Sequence, residues 1–182
     1  MTGHDEMIEL HRDCEATVVP YGDRITLLRG DEVGVTQALG GSFTVTTSRG
    51  QLVRIGAVDA DALGFEPQQI VEPLPAPGMF DVDQVIEQLK VVFDPEIPIN
   101  VVDLGLIYSC EAEQLPSGGY RVEIQMSMTA PGCGMGDVLR EDAMTVVQAV
   151  PGVDEVGVEL VWDPPWDQNR MSQAALLELG LL

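Results

Sequence analysis

Tyr120-Arg-Val-Glu-Ile-Gln-Met-Ser-Met-Thr-Ala-Pro-Gly-Cys-Gly-Met-Gly136 is the stretch that decides the fold. In its first half Val122, Ile124, Met126 and Met128 alternate with Arg121, Glu123, Gln125 and Ser127, the period of a strand with one buried and one wet face. From about Met135 the period changes. Val138, Leu139, Ala143, Val146, Val147 and Val150 recur at helical spacing until Pro151-Gly152 ends the run. A strand therefore becomes a helix over residues 129–136. Gly132, Gly134 and Gly136 can take the positive φ of a tight turn and let a ligand approach the backbone. Cys133 is expected near the helix N-terminus, where free N–H groups and the helix dipole favour a thiolate, the form that attacks electrophiles and binds metals. The plainer alternative is a small apolar residue packed in the turn. Flanking glycines leave little to pack against, so the functional reading is preferred.

Outward from that junction, the pattern predicts a two-layer α+β domain over residues 80–182: helix, β-hairpin, helix, strand, helix. Asp81 can cap the first helix, whose face is Val82, Val85, Ile86, Leu89 and Phe93; Pro95 and Pro98 stop it. Strands are expected over 104–111 and 120–129, with a turn over 115–119. A third alternating strand holds Val156, Val158, Leu160 and Trp162, and Ser172 can cap a short final helix ending at Gly180. Upstream, residues 71–79 carry three prolines and a glycine and read as a semi-rigid linker. Before them, Val-, Ile- and Thr-rich runs at 14–19, 24–28, 32–38, 43–47 and 52–55 predict a small β-rich, barrel-like module of five strands over residues 1–70, with a ragged tail over 59–69.

Composition narrows the function. The 182 residues carry 30 Asp and Glu against 9 Lys and Arg, a formal net charge of −21. Such a polyanion repels nucleic acid and anionic membrane, so neither is expected as a partner. No apolar run approaches the roughly 20 residues that span a bilayer, and the acidic start lacks the features of a signal peptide. Three cysteines without a CxxC pair argue for a reducing, cytoplasmic setting. Asp94-Pro-Glu-Ile-Pro98 holds two carboxylates, Asp94 and Glu96, that could accept backbone hydrogen bonds or bind a hard cation; loop chemistry alone also explains them. Asp103 reads as a turn acid. Trp162-Asp-Pro-Pro-Trp166 is a rigid aromatic loop, either an interface anchor or a cover for the sheet edge. Cys110 reads as a core residue. Cys14 could be packing or a metal ligand. His4 and His11 are expected in a solvated tail.

The motifs Asp94-Pro-Glu-Ile-Pro98, Val101-Val-Asp-Leu-Gly-Leu-Ile107 and Thr129-Ala-Pro-Gly-Cys133, in that order, resemble the PaaD-like metal–sulfur cluster assembly family. Arg12-Asp-Cys-Glu-Ala16, Gln37-Ala-Leu-Gly-Gly-Ser-Phe43, Asp59-Ala-Asp-Ala-Leu-Gly64 and Val161-Trp-Asp-Pro-Pro-Trp166 with Met171-Ser172 resemble its SufT subgroup. The resemblance implies an auxiliary factor in iron–sulfur cluster assembly, working with Suf-type assembly proteins on client apoproteins. It implies Cys133 as the functional thiol, with Asp94 and Glu96 as its companions.

A cluster normally takes four thiolates. One chain has three cysteines, so transient binding of a cluster or iron is expected, through Cys133 and, as a second candidate ligand, Cys14. Completion would come from a second subunit, as in a homodimer, or from a client thiol, a small thiol or oxygen ligands. No enzymatic turnover is expected. The competing readings are a metal-free interaction adapter and a cysteine-nucleophile enzyme. The enzyme would need a base beside Cys133, yet both histidines lie within the first dozen residues.

Overall fold

Strand-length runs separated by glycine turns pair where their apolar faces can share a core. In the computed structural model, which describes residues 7–67 and 80–182, the chain divides into two compact units. One is built from 7–67 with Pro95–Pro98, the other from 80–94 and 99–182. The stretch expected as a linker, 71–79, lies outside the described residues, as does His4.

The first unit holds β1 (Met7–Glu9), β2 (Cys14–Val18), β3 (Arg24–Leu27), β4 (Glu32–Leu39), β5 (Ser42–Thr47) and β6 (Leu52–Ile55). They form one antiparallel sheet in the order β1-β4-β5-β6-β2-β3. Six strands thus replace the five-stranded, barrel-like module expected. The additional strand, β1, is three residues long and exists by pairing with β4, Met7 opposite Gly34 and Glu9 opposite Glu32. The tail expected to be ragged is a 3-10 helix, Ala57–Leu63, that buries Ala60, Ala62 and Leu63 in the same core as Val33, Val45, Val53 and Ile55. Arg12 ties it down. Its Nε donates to Asp61 Oδ2 at 2.7 Å, and its Nη2 meets Asp61 Oδ1 and, at 2.9 Å, Asp59. The guanidinium holds the Asp61 carboxyl below the usual carboxylate range.

The second unit is α+β, as expected. Helix α1 (Val82–Leu89) is capped by Asp81, whose side chain accepts from the Asp83 N–H, and it buries Val85, Gln88 and Leu89. Then come β7 (Ile107–Gln114), β8 (Tyr120–Met126), α2 (Gly136–Gln148), β9 (Val153–Leu160) and α3 (Gln173–Glu178). The sheet order is β7-β8-β9. β7 is antiparallel to β8, and β9 lies parallel to β8 after the α2 crossover. Ser172 caps α3 by accepting from the Ala175 N–H, as its position predicts.

The hairpin's first strand begins at Ile107, not at 104. Residues 101–105 instead form turns set by Asn100, whose Oδ1 accepts from the N–H groups of Val102 and Asp103 and whose Nδ2 donates to Asp103 Oδ2. Val101, Leu104 and Leu106 are fully buried there, so their apolar pattern reflects a packed turn. β8 likewise ends at Met126 instead of 129, and β9 ends at Leu160, which leaves Trp162 outside the strand. Cys110, expected in the core, sits half-buried in β7 opposite Ile124.

Candidate functional site

At the end of β8 the chain leaves the sheet in a short path that the second unit holds at both ends. Ser127 N–H donates to Leu106 O at 2.8 Å, and Met128 is buried. Residues 129–135 then turn outward and back into α2. Cys133 N–H donates to Ala130 O at 3.4 Å, and Cys133 O accepts from Gly136 N–H at 3.3 Å. Cys133 is half-buried and lies two residues ahead of Met135, the N-cap, which contributes no side-chain cap to α2. The expected closeness to a helix N-terminus is therefore met in sequence, and the contact with the helix start runs through the Cys133 carbonyl.

Two glycines of this turn have different roles. Among the three, Gly132 takes positive φ, 77°, and a methyl placed on it would meet nothing within 4 Å. That side of the turn faces open space. Gly136 serves packing, because a Cβ there would stand 3.1 Å from Leu160 Cδ1 on β9.

The two carboxylates of the Asp94-Pro-Glu-Ile-Pro98 loop part company. Asp94 is buried, at 4% exposure, and Glu96 is exposed. The loop is a hairpin closed by the Phe93–Asn100 bridge and by Asp94 N–H donating to Ile99 O at 3.2 Å. Asp94 belongs to the second unit, while Glu96 groups with the first, where Pro95 O accepts from Thr44 Oγ1.

Cys14, the second ligand candidate, lies in the first unit's hydrophobic core at 4% exposure. Burial, reinforced by the negative charge of Asp59, pushes its thiol up to about 11, so it stays protonated at neutral pH. That is a packing environment and a poor one for a ligand. Burial also raises the Cys110 thiol above its ordinary value. No three His, Cys, Asp or Glu side chains converge to hold a metal ion among the described residues.

Sequence reasoning missed the bracing of the C-terminal segment. Trp166 Nε1 donates to Leu104 O at 2.7 Å, Tyr108 OH to Pro164 O at 2.9 Å and Ser172 N–H to Asp103 O at 2.8 Å. The Arg170 guanidinium lies 4.0 Å over the Tyr108 ring. Gly105, with φ of 72°, makes room for this segment, since a Cβ there would fall 2.1 Å from Arg170 O. The signal available in the sequence was the glycine itself at 105, close after the turn residues Asn100 and Asp103.

Residues 82–160 match the model of a family described as iron–sulfur cluster assembly protein. An Fe-S protein maturation auxiliary factor of Porphyromonas gingivalis is 41% identical over 100 residues, which is 55% of this chain and 91% of that protein. The Fe-S protein maturation auxiliary factor SufT of Staphylococcus aureus is 36% identical over 90 residues, 50% of this chain and 98% of its own length. A crystal structure of DUF59, a domain of unknown function from Bacillus anthracis, is 35% identical and superposes with a TM-score of 0.51 over 56% of this chain and 92% of that one.

Proposed function

Because the chain belongs to the iron–sulfur cluster assembly protein family, we propose that it is an auxiliary factor of iron–sulfur protein maturation whose working thiol is Cys133. The observation that carries the assignment to Cys133 is local. The family match spans the β8–α2 junction, and there the one cysteine in an open turn is bordered by a glycine with empty space beside it.

The ligand arithmetic makes the cluster a cargo. Iron–sulfur clusters normally take four thiolates, and the described residues gather no three-ligand set. Cys14 is spent in a core and Cys110 lies within a strand. Cys133 therefore supplies one bond to iron, and the others come from thiols outside this chain, on a client apoprotein, a Suf-type assembly protein or a second copy. Transfer is then ligand exchange without redox change. A client thiolate forms a bond to iron, the Cys133 sulfur–iron bond breaks, and the proton lost by the client thiol can end on the Cys133 sulfur. A single anchoring thiol with few supporting ligands favours transient holding, as a transfer factor needs. The exposed carboxylate of Glu96 and the buried one of Asp94 do not act as a paired site in this reading; Asp94 shapes the loop base.

No turnover chemistry of its own is assigned. The unit that carries Cys133 contains no histidine to activate the thiol, because the only two lie at positions 4 and 11. Complementation tests the proposal. In cells lacking the native copy, Cys133→Ala at matched expression should abolish support of an iron–sulfur client enzyme, while Asp94→Asn and Glu96→Gln retain part of it. Full rescue by Cys133→Ala would leave the metal-free adapter as the better account.

A further inference from the structure

The loop Trp162-Asp-Pro-Pro-Trp166 contains two tryptophans with opposite fates. Trp166 is used internally, its indole N–H bonded to Leu104 O. Trp162 is 44% exposed, and no hydrogen bond or ring contact engages its indole among the described residues. The segment behind it is held at four points, by Tyr108, Trp166, Arg170 and Ser172, so the exposed ring is presented from a braced loop. Exposed, rigidly presented Trp is the residue type that most often anchors an interface.

Its position relates it to Cys133. β9 runs parallel to β8 with Leu160 opposite Met126, and Val161 N–H extends the ladder by donating to Met126 O at 2.8 Å. Trp162 thus leaves the sheet at the same end as the turn that carries Cys133, and Leu160, two residues earlier, packs at the first residue of α2. The charge around the ring selects the partner. Asp163, next to it in sequence, is exposed, Asp167 is occupied in capping the 168–170 turn, and the one cation of the 162–172 segment, Arg170, already lies on Tyr108. At a net charge of −21 the chain as a whole attracts cationic partners.

We infer that Trp162 and Asp163 form a docking anchor for a cationic side chain, arginine or lysine, on the protein that Cys133 serves. The indole face takes the cation and the carboxylate pairs with it, so charge complementarity steers the encounter and sets orientation. The inference rests on the maturation role proposed above but is read out without any cluster.

The test uses the full chain, labelled with ¹⁵N, and two probe peptides, Ac-Gly-Arg-Gly-Arg-Gly-amide and its citrulline counterpart of equal shape and no charge. The protein gives two indole N–H signals, assigned with Trp162→Phe. Saturable movement of the Trp162 signal with the arginine peptide is expected, with Trp166 unmoved, little response to citrulline, and affinity at least tenfold weaker in Trp162→Leu and in Asp163→Asn. Glu111→Gln, which removes a charge from the sheet, should stay within twofold. Equal response to both peptides, or equal weakening by Glu111→Gln, overturns the anchor as a non-specific effect of net charge. In cells, Trp162→Leu should lower client-enzyme activity several-fold, and unchanged activity overturns the docking role. Peptide binding that persists alongside full rescue by Cys133→Ala would sink the thiol assignment and leave the anchor standing.

Discussion

Two glycines of nearly equal φ should respond very differently to the same substitution, and the contrast tests whether the C-terminal segment is clamped as described. Gly105 has φ of 72° and Gly132 of 77°. An alanine at either pays the left-handed strain of about 1–2 kcal/mol, offset by about 0.4–1 kcal/mol from a less flexible unfolded chain. For Gly132 nothing stands within 4 Å of the added methyl, so the net cost should be about 1 kcal/mol. For Gly105 the methyl would lie 2.1 Å from Arg170 O, a backbone atom, so the segment must move. Moving it breaks the bonds from Trp166 to Leu104, Tyr108 to Pro164 and Ser172 to Asp103, at about 1 kcal/mol each. It also loses the Arg170–Tyr108 contact, worth about 0.5–1 kcal/mol at an exposed site. With the net strain of about 1 kcal/mol that both positions share, the total is about 5 kcal/mol. Urea unfolding followed by tryptophan emission reports the right unit, because both tryptophans lie in it. With a slope of about 2 kcal/mol per molar urea, the midpoint should fall by about 2.5 M for Gly105→Ala and about 0.5 M for Gly132→Ala. Equal midpoints would refute the clamp.

Alkylation with mass mapping near neutral pH should modify Cys133 first, with Cys110 slower and Cys14 protected until unfolding, since burial raises both latter thiols; prior labelling of Cys110 would remove the basis for choosing Cys133. The first unit should also lose stability as pH rises from about 9 to about 11. The unfolded Cys14 thiol ionises across that window while the folded one, raised to about 11, keeps its proton, so the unfolded state binds fewer protons and gains. Cys14→Ala should flatten that slope in a thermal melt series, and an unchanged slope would assign it to other groups.

Where the sequence was legible, one physical period dominated a segment. The strict alternation from Arg121 to Met126 allowed only one register with its apolar face inward, and β8 has it, with Val122, Ile124 and Met126 buried. The Asp81 and Ser172 caps were readable because a short acceptor side chain preceded a helical run. Errors arose where a partner far along the chain decided the outcome. Three residues, Met7–Glu9, have no period of their own and become a strand because β4 offers an edge. The strand expected over 104–111 starts only at Ile107, because the amide of Asn100 satisfies the backbone locally and turns the chain through Gly105. The tail after β6 looked unstructured because its alanines carry little hydrophobic signal, yet Ala60 and Ala62 are small enough to bury a 3-10 helix against the sheet.

The site divides in the same way. That a thiol stands in a glycine-lined turn between strand and helix follows from local chemistry, so the placement of Cys133 was legible in the sequence alone. Cys14 could have been resolved too. Along β2 burial alternates, with Cys14, Ala16 and Val18 inside and Glu15 outside, and a period-two reading of that strand places the thiol in the core despite its charged neighbours. The two tryptophans could not be separated by any such rule. They flank the same Asp-Pro-Pro, and what distinguishes them is a carbonyl at Leu104, some sixty residues earlier, that reaches only Trp166. A residue's availability to a partner is thus set by which neighbours the fold has already spent on it. In this chain that makes the leftover ring, Trp162, more informative about recognition than the aromatic motif that contains it.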